Sequence, residues 1–150
     1  MQAEDGMSER AGLSLRLGHD AGAAMLGRAA VRDLLAQHPT TDELRHDAAL
    51  VVYELVSNAT THGLPEADGR ICLTCEVVGE ELVVVVTDGG HNGLVALQDL
   101  DSEAARGRGL TIVDALTLSW TVDRSDGTVV RAVVPLQAPA AADGQPQVRT

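Results

Sequence analysis

Glu54 and Asn58 stand four residues apart in "ELVSNATTHG" (54–63), inside a run that otherwise reads as a buried helix. Four residues make about one helical turn, so both side chains leave on the same side, beside the apolar stripe. A carboxylate and a carboxamide at the border of a core are costly to bury unless something pairs with them. Either this edge of the helix meets water, or it meets a ligand. For a ligand, an Asn oxygen is a hard donor suited to Mg²⁺, which keeps most of its waters and takes few protein ligands. A carboxylate one turn away is then placed to act as general base on a hydroxyl or water.

Two other stretches carry chemistry in the same conditional way. "VTDGG" (86–90) puts Asp88 and Gly90 at the end of the most apolar segment of the chain. It reads as an ordinary turn, or as an acceptor carboxylate for an exocyclic amine with glycines that let a flat ring lie against the backbone. "RGRGLTIV" (106–113) opens a helix on two glycines. Bare N–H groups at a helix start bind phosphate, and glycine allows close approach. The stretch has neither the third glycine of a dinucleotide fingerprint nor the Gly-Lys-Ser/Thr of a P-loop, and a plain helix start would also account for it.

The elements that must position these residues follow from periodicity. "LSLRL" (13–17) alternates as a short strand. Residues 19–38 form an amphipathic helix on Met25, Leu26, Ala30, Val31, Leu34 and Leu35, which Pro39 ends. Residues 40–63 form the second helix, with Thr40 and Glu43 as a capping box, Gly63 and Pro65 as the stop, and Leu44, Ala48, Val51, Leu55 and Ala59 as the stripe. "RICLTCEVV" (70–78) and "ELVVVVTD" (81–88) are strands joined at Gly79 and Glu80. The second is apolar on both faces and is expected at the centre of the sheet. A long glycine-flanked segment (residues 91–106) is expected to be a lid. A short helix "LTIVDALT" and a hairpin of "LSWTVDR" and "GTVVRAVVPL" across "SDG" complete the chain. The expected class is α/β: a two-layer sandwich with a mostly antiparallel mixed sheet and helices on one face.

With 150 residues the chain is expected to hold one domain (13–137), between a disordered N-terminus (1–12) and a disordered tail (138–150). No Phe is present, so Leu, Val, Ile and Ala must build the core. A net charge of −11 argues against direct nucleic-acid binding, which needs a basic surface. No apolar stretch is long enough to span a bilayer and the N-terminus is acidic and polar, so a cytoplasmic location without membrane contact is expected. Cys72 and Cys75 point to opposite faces of one strand, cannot bridge, and read as structural.

Taken together in their order and separations, these motifs resemble the GHKL ATPase superfamily from residue 13 to about 136. More narrowly, the chain is similar to the small anti-sigma factor serine kinases of bacteria. "ELVSNATTHG" is similar to that family's N box, "VTDGG" to its first glycine box, "RGRGLTIV" to its second, and "DGTVV" to its closing Gly-Thr element. The resemblance implies that Glu54 is the general base and Asn58 the Mg²⁺ ligand. It implies that Asp88 accepts from the adenine amino group with Gly90 beneath the ring, and that Thr128 helps fix the adenine. Gly107, Arg108, Gly109 and Leu110 would cap the phosphates. His62 stands where the family often has His, near the phosphates, although a helix C-terminal His satisfying carbonyls is the plainer account. ATP and Mg²⁺ are the implied cofactors. A sigma factor and an anti-sigma factor antagonist are the implied partners, and the family's frequent homodimer is the implied assembly. In one place the chain departs from the pattern: Asn92 occupies the place of the second glycine in the first glycine box. That departure keeps open a catalytically silent, ATP-gated binding protein of the same fold. A sensor histidine kinase core would need a preceding phosphoacceptor domain, for which about a dozen residues are expected to be too few.

Overall fold

The computed structural model describes residues 11–90 and 111–137. Strand β1 (Gly12–Gly18) leads into helix α1 (Ala23–Leu35) and helix α2 (Asp42–His62). Strands β2 (Arg70–Val78) and β3 (Glu81–Asp88) follow, then helix α3 (Thr111–Leu116) and strands β4 (Ser119–Asp123) and β5 (Thr128–Pro135). The sheet order is β1-β2-β3-β5-β4, so β3 is central, as its two-sided apolar sequence requires. All four pairings are antiparallel, so the sheet of the described residues is wholly antiparallel rather than mixed.

Alternation gives the sheet one wet face and one dry one. Ile71, Leu73, Cys75 and Val77 of β2 point inward with Leu82, Val84 and Val86 of β3 and Ala132 and Val134 of β5, all nearly inaccessible. The helices cover that face, and burial pushes the Cys75 thiol up to about 12, where it is inert at neutral pH. Val83, Val85, Val129 and Val133 lie on the opposite, open face, half-buried side by side. Strand β1 begins earlier than expected: Ala11 O accepts from Val77 N at 2.7 Å, and Ala11 packs against the core. Residues 11 and 12 therefore belong to the domain and not to a disordered terminus. The terminal residues 1–10 and 138–150 lie outside the described residues.

Helix α1 corrects the expected stripe. Met25 and Leu26 are 55% and 61% exposed, while Ala23, Ala24, Gly27, Val31 and Leu35 face inward. The cause is close packing. A Cβ on Gly27 would meet Leu73 Cδ2 and Val52 Cγ1 at 3.2 Å each, so only small residues fit where α1 crosses α2. Helix α1 also spans less than 19–38, because Gly22 is its N-cap and Ala36 its C-cap.

Helix α2 starts one residue later than expected. Its cap is Thr41, whose Oγ1 accepts from Leu44 N at 3.0 Å, whereas Thr40 Oγ1 donates to Leu136 O at 2.6 Å and ties the helix start to the end of β5. Arg45 fixes the same end by donating to Leu35 O and His38 O at 2.8 and 3.0 Å. Thr41→Ala is expected to lower stability by about 1 kcal/mol through loss of the cap, measured by urea denaturation at constant m. No change would place the capping function elsewhere.

Candidate active site

Helix α2 carries Glu54, Asn58 and His62 at successive turns along one edge, each half-buried, and His62 is its last residue. Ala48, Val51, Leu55 and Ala59 of the expected stripe are buried beside them, which answers the water-or-ligand question in part: this edge borders the core. Leu44, at the start of the stripe, is only partly buried. Burial raises the Glu54 carboxyl above its ordinary value, a direction that makes it a stronger base near neutral pH.

The helix ends against the sheet where β3 stops and β5 begins. Asp88, the last residue of β3, pairs in register with Thr128, the first of β5. They are 4% and 2% exposed, the two polar side chains buried with the core among the described residues. Asp88 Oδ1 accepts from Gly90 N at 2.7 Å, and the Thr128 hydroxyl bonds the same carboxylate. The other oxygen, Oδ2, lies against Gly63, where any Cβ would collide with it. Desolvation pushes the Asp88 carboxyl up to about 6. The Gly90 N–H, the Thr128 hydroxyl and His19 draw it down, and Glu66 adds to the push.

The segment after α2 is stitched to the segment after β3. Gly63 N closes the helix on Ala59 O at 3.0 Å, Leu64 N donates to Gly90 O at 2.7 Å, and Gly89 N donates to Leu64 O at 2.7 Å. His19, just past β1, donates from Nε2 to Gly63 O at 2.8 Å. Arg16 grips the far side of this loop, with Nε and Nη2 on Asp68 at 3.1 and 2.8 Å and Nη2 on Glu66 at 2.9 Å. Gly127, at φ 76°, lets the β4–β5 turn pass over the end of β3, where a Cβ would stand 2.6 Å from Asp88 O.

Glu54, Asn58, His62, Asp88, Gly90 and Thr128 are thus carried to the α2 terminus and the sheet ends that meet it. Gly107, Arg108, Gly109 and Leu110, and the expected lid at 91–106, lie outside the described residues. Helix α3, which begins at Thr111, packs on α2 through Val113. Among the described residues no three His, Cys, Asp or Glu side chains gather as a metal cage. A Mg²⁺ carried in by phosphates needs only one or two protein oxygens, and the half-buried Asn58 amide, one turn from Glu54, fits that donor set.

The profile of the histidine kinase-like ATPase domain matches residues 20–134. The chain belongs to the histidine kinase-like ATPase domain family. The resemblance of the chain to the GHKL ATPases is thereby borne out. Within this family, the chain is 28% identical over 103 residues to the anti-sigma F factor of Clostridium kluyveri, in each of two strains. That match takes in 64% of this chain and 72% of the relative. A solved structure of the RsbU and RsbW domains of a Mycobacterium tuberculosis protein superposes with a TM-score of 0.65 at 22% identity. It covers 83% of this chain, which spans about a third of that one (32%), and it shows the shared fold.

Two residues of this histidine kinase-like ATPase domain escaped sequence reasoning. Gly63 reads as a helix stop, and nothing local reveals that it abuts a carboxylate far along the chain. His19 reads as the first residue of α1, whereas it lies in the connection before that helix and reaches Gly63. The only signal was the pair of glycines Gly63 and Gly89, both close to the polar positions.

Proposed function

We propose that this protein is an Mg·ATP-dependent anti-sigma factor kinase of the cytoplasm. It transfers the γ-phosphoryl group to a serine or threonine of an anti-sigma factor antagonist and sequesters a sigma factor. The observation that carries this reading is the alignment of Glu54 and Asn58 on α2, with the helix end abutting the buried Asp88. Asp88 receives the adenine amino group, Thr128 steadies its carboxylate, and the backbone at Gly90 lies beneath the ring. Asn58 would hold the metal, which when bound would neutralise phosphate charge, and Gly107, Arg108, Gly109 and Leu110 would cap the phosphates. Glu54 takes the proton from the attacking hydroxyl as its oxygen bonds the γ-phosphorus. The bond to the β-phosphate oxygen breaks, and ADP leaves with the electron pair.

The similarity to an anti-sigma F factor supports the choice of partners. A second copy of the chain is the proposed occupant of the open sheet face, where Val83, Val85, Val129 and Val133 lie half-buried side by side. Asn92, in place of a glycine, favours a second reading in which ATP only gates partner binding. The deciding test isolates the partners from the native cell and follows label from γ-labelled ATP in a single turnover. Transfer to a bound antagonist is expected; binding of ATP and partner without transfer selects the second reading.

A further inference from the structure

We infer that His19 is a positioning residue for adenine recognition, acting through Gly63 on the Asp88 carboxylate. This rests on the reading of Asp88 as the adenine acceptor. The chain of contacts is short. His19 Nε2 donates to Gly63 O at 2.8 Å in a half-buried setting, and Asp88 Oδ2 occupies the space that a Cβ on Gly63 would need. Oδ1 is held by the Gly90 N–H and the Thr128 hydroxyl bonds the same carboxylate, while Oδ2 is the oxygen that lies against Gly63. Its position is set by the backbone it rests on. Gly63 is the C-cap of α2: its N–H still bonds Ala59 O, but its carbonyl lies past the helical ladder and is tied down by a side chain from another element. The same connection is pinned on its other side by Leu64 N and Leu64 O to the 89–90 backbone. His19 therefore closes a three-sided clamp made from the ends of β1, α2 and β3. A clamp of this kind sharpens base selection without touching the nucleotide, because a slack Gly63 lets the carboxylate drift from the amine.

The test compares ATP with ITP, which lacks the exocyclic amine, by calorimetry on the full chain. Wild type is expected to prefer ATP. His19→Ala is expected to weaken ATP about three- to tenfold, the worth of one hydrogen bond, and to leave ITP unchanged. His19→Gln places an amide donor near the same point and is expected to restore most of the ATP preference, with melting temperatures recorded for each variant as a control on folding. Equal weakening of both nucleotides, or unchanged ATP affinity in His19→Ala, overturns the inference while leaving Asp88 in its role. A wild type that binds ATP and ITP alike overturns the Asp88 reading itself, and the inference with it.

Discussion

Glu54→Gln is expected to slow single-turnover phosphoryl transfer by roughly 10²–10⁴, the usual worth of a general base, while ATP affinity stays near that of the wild type. Gln keeps the shape and half-buried setting of the side chain and removes its ability to take a proton. The raised Glu54 carboxyl adds a sign to the prediction. The base works only when ionised, so wild-type transfer falls as pH drops through that raised value, and the residual rate of Glu54→Gln lacks this dependence. Asn58→Ala separates the neighbouring role: it should weaken the Mg²⁺-dependent part of ATP binding itself. Robust transfer by Glu54→Gln to a verified partner would remove Glu54 from the chemistry.

Asp88→Asn is expected to move binding and stability in opposite directions. Burial holds the carboxyl at about 6, above its ordinary 3.8, so the folded protein keeps this proton more tightly than the unfolded chain does. The linkage sign follows: this group's contribution is fully favourable below about pH 4, is lost as pH rises towards 6, and stays lost above. About two pKa units correspond to roughly 3 kcal/mol of cost at neutral pH. Asn carries no charge and avoids it. The nucleotide-free variant should therefore be more stable than wild type at pH 7.5, by about 1–3 kcal/mol, and should lose that advantage near pH 4. ATP affinity should fall by about 1–3 kcal/mol, because an amide donor now faces the adenine amine, with weaker rejection of GTP. In the wild type, ATP affinity should drop as pH falls below about 6 and the acceptor is protonated. Urea denaturation and calorimetry at the two pH values check both signs; unchanged ATP affinity in Asp88→Asn excludes the residue from the site.

How far the sequence could be read depended on whether the deciding contacts were local. Strands β2 and β3 were expected at 70–78 and 81–88 and are observed there, because alternation and a two-residue turn leave little freedom of register. The central place of β3 was legible because both its faces are apolar. Helix α1 is legible only in its second half, where Val31 and Leu35 of the expected stripe are buried. In its first half hydropathy ranks Met25 and Leu26 above Ala23, Ala24 and Gly27, whereas the close approach of Val52 and Leu73 at Gly27 leaves no room for a larger side chain. Two adjacent threonines hid which one caps α2, and the tie from Thr40 to Leu136 depends on the finished fold. The candidate site shows the same division. Glu54, Asn58 and Asp88 announced themselves as polar groups beside apolar ones, while the support from His19 and Gly63 exists only once the ends of three elements meet.

Helix α2 is 21 residues long, a rod of about 30 Å, fastened at its start by Thr40 and Arg45. Its final turns carry Glu54 and Asn58, and the residue just past its end buttresses Asp88. On the proposed reading, one jaw of a caliper is cut from this bar, while the other, Asp88, belongs to the sheet and only rests against the bar's end. A slide of the bar along its axis would therefore change the span between the phosphate stop and the base stop. The ties at the far end of the helix, about 30 Å away, guard that span.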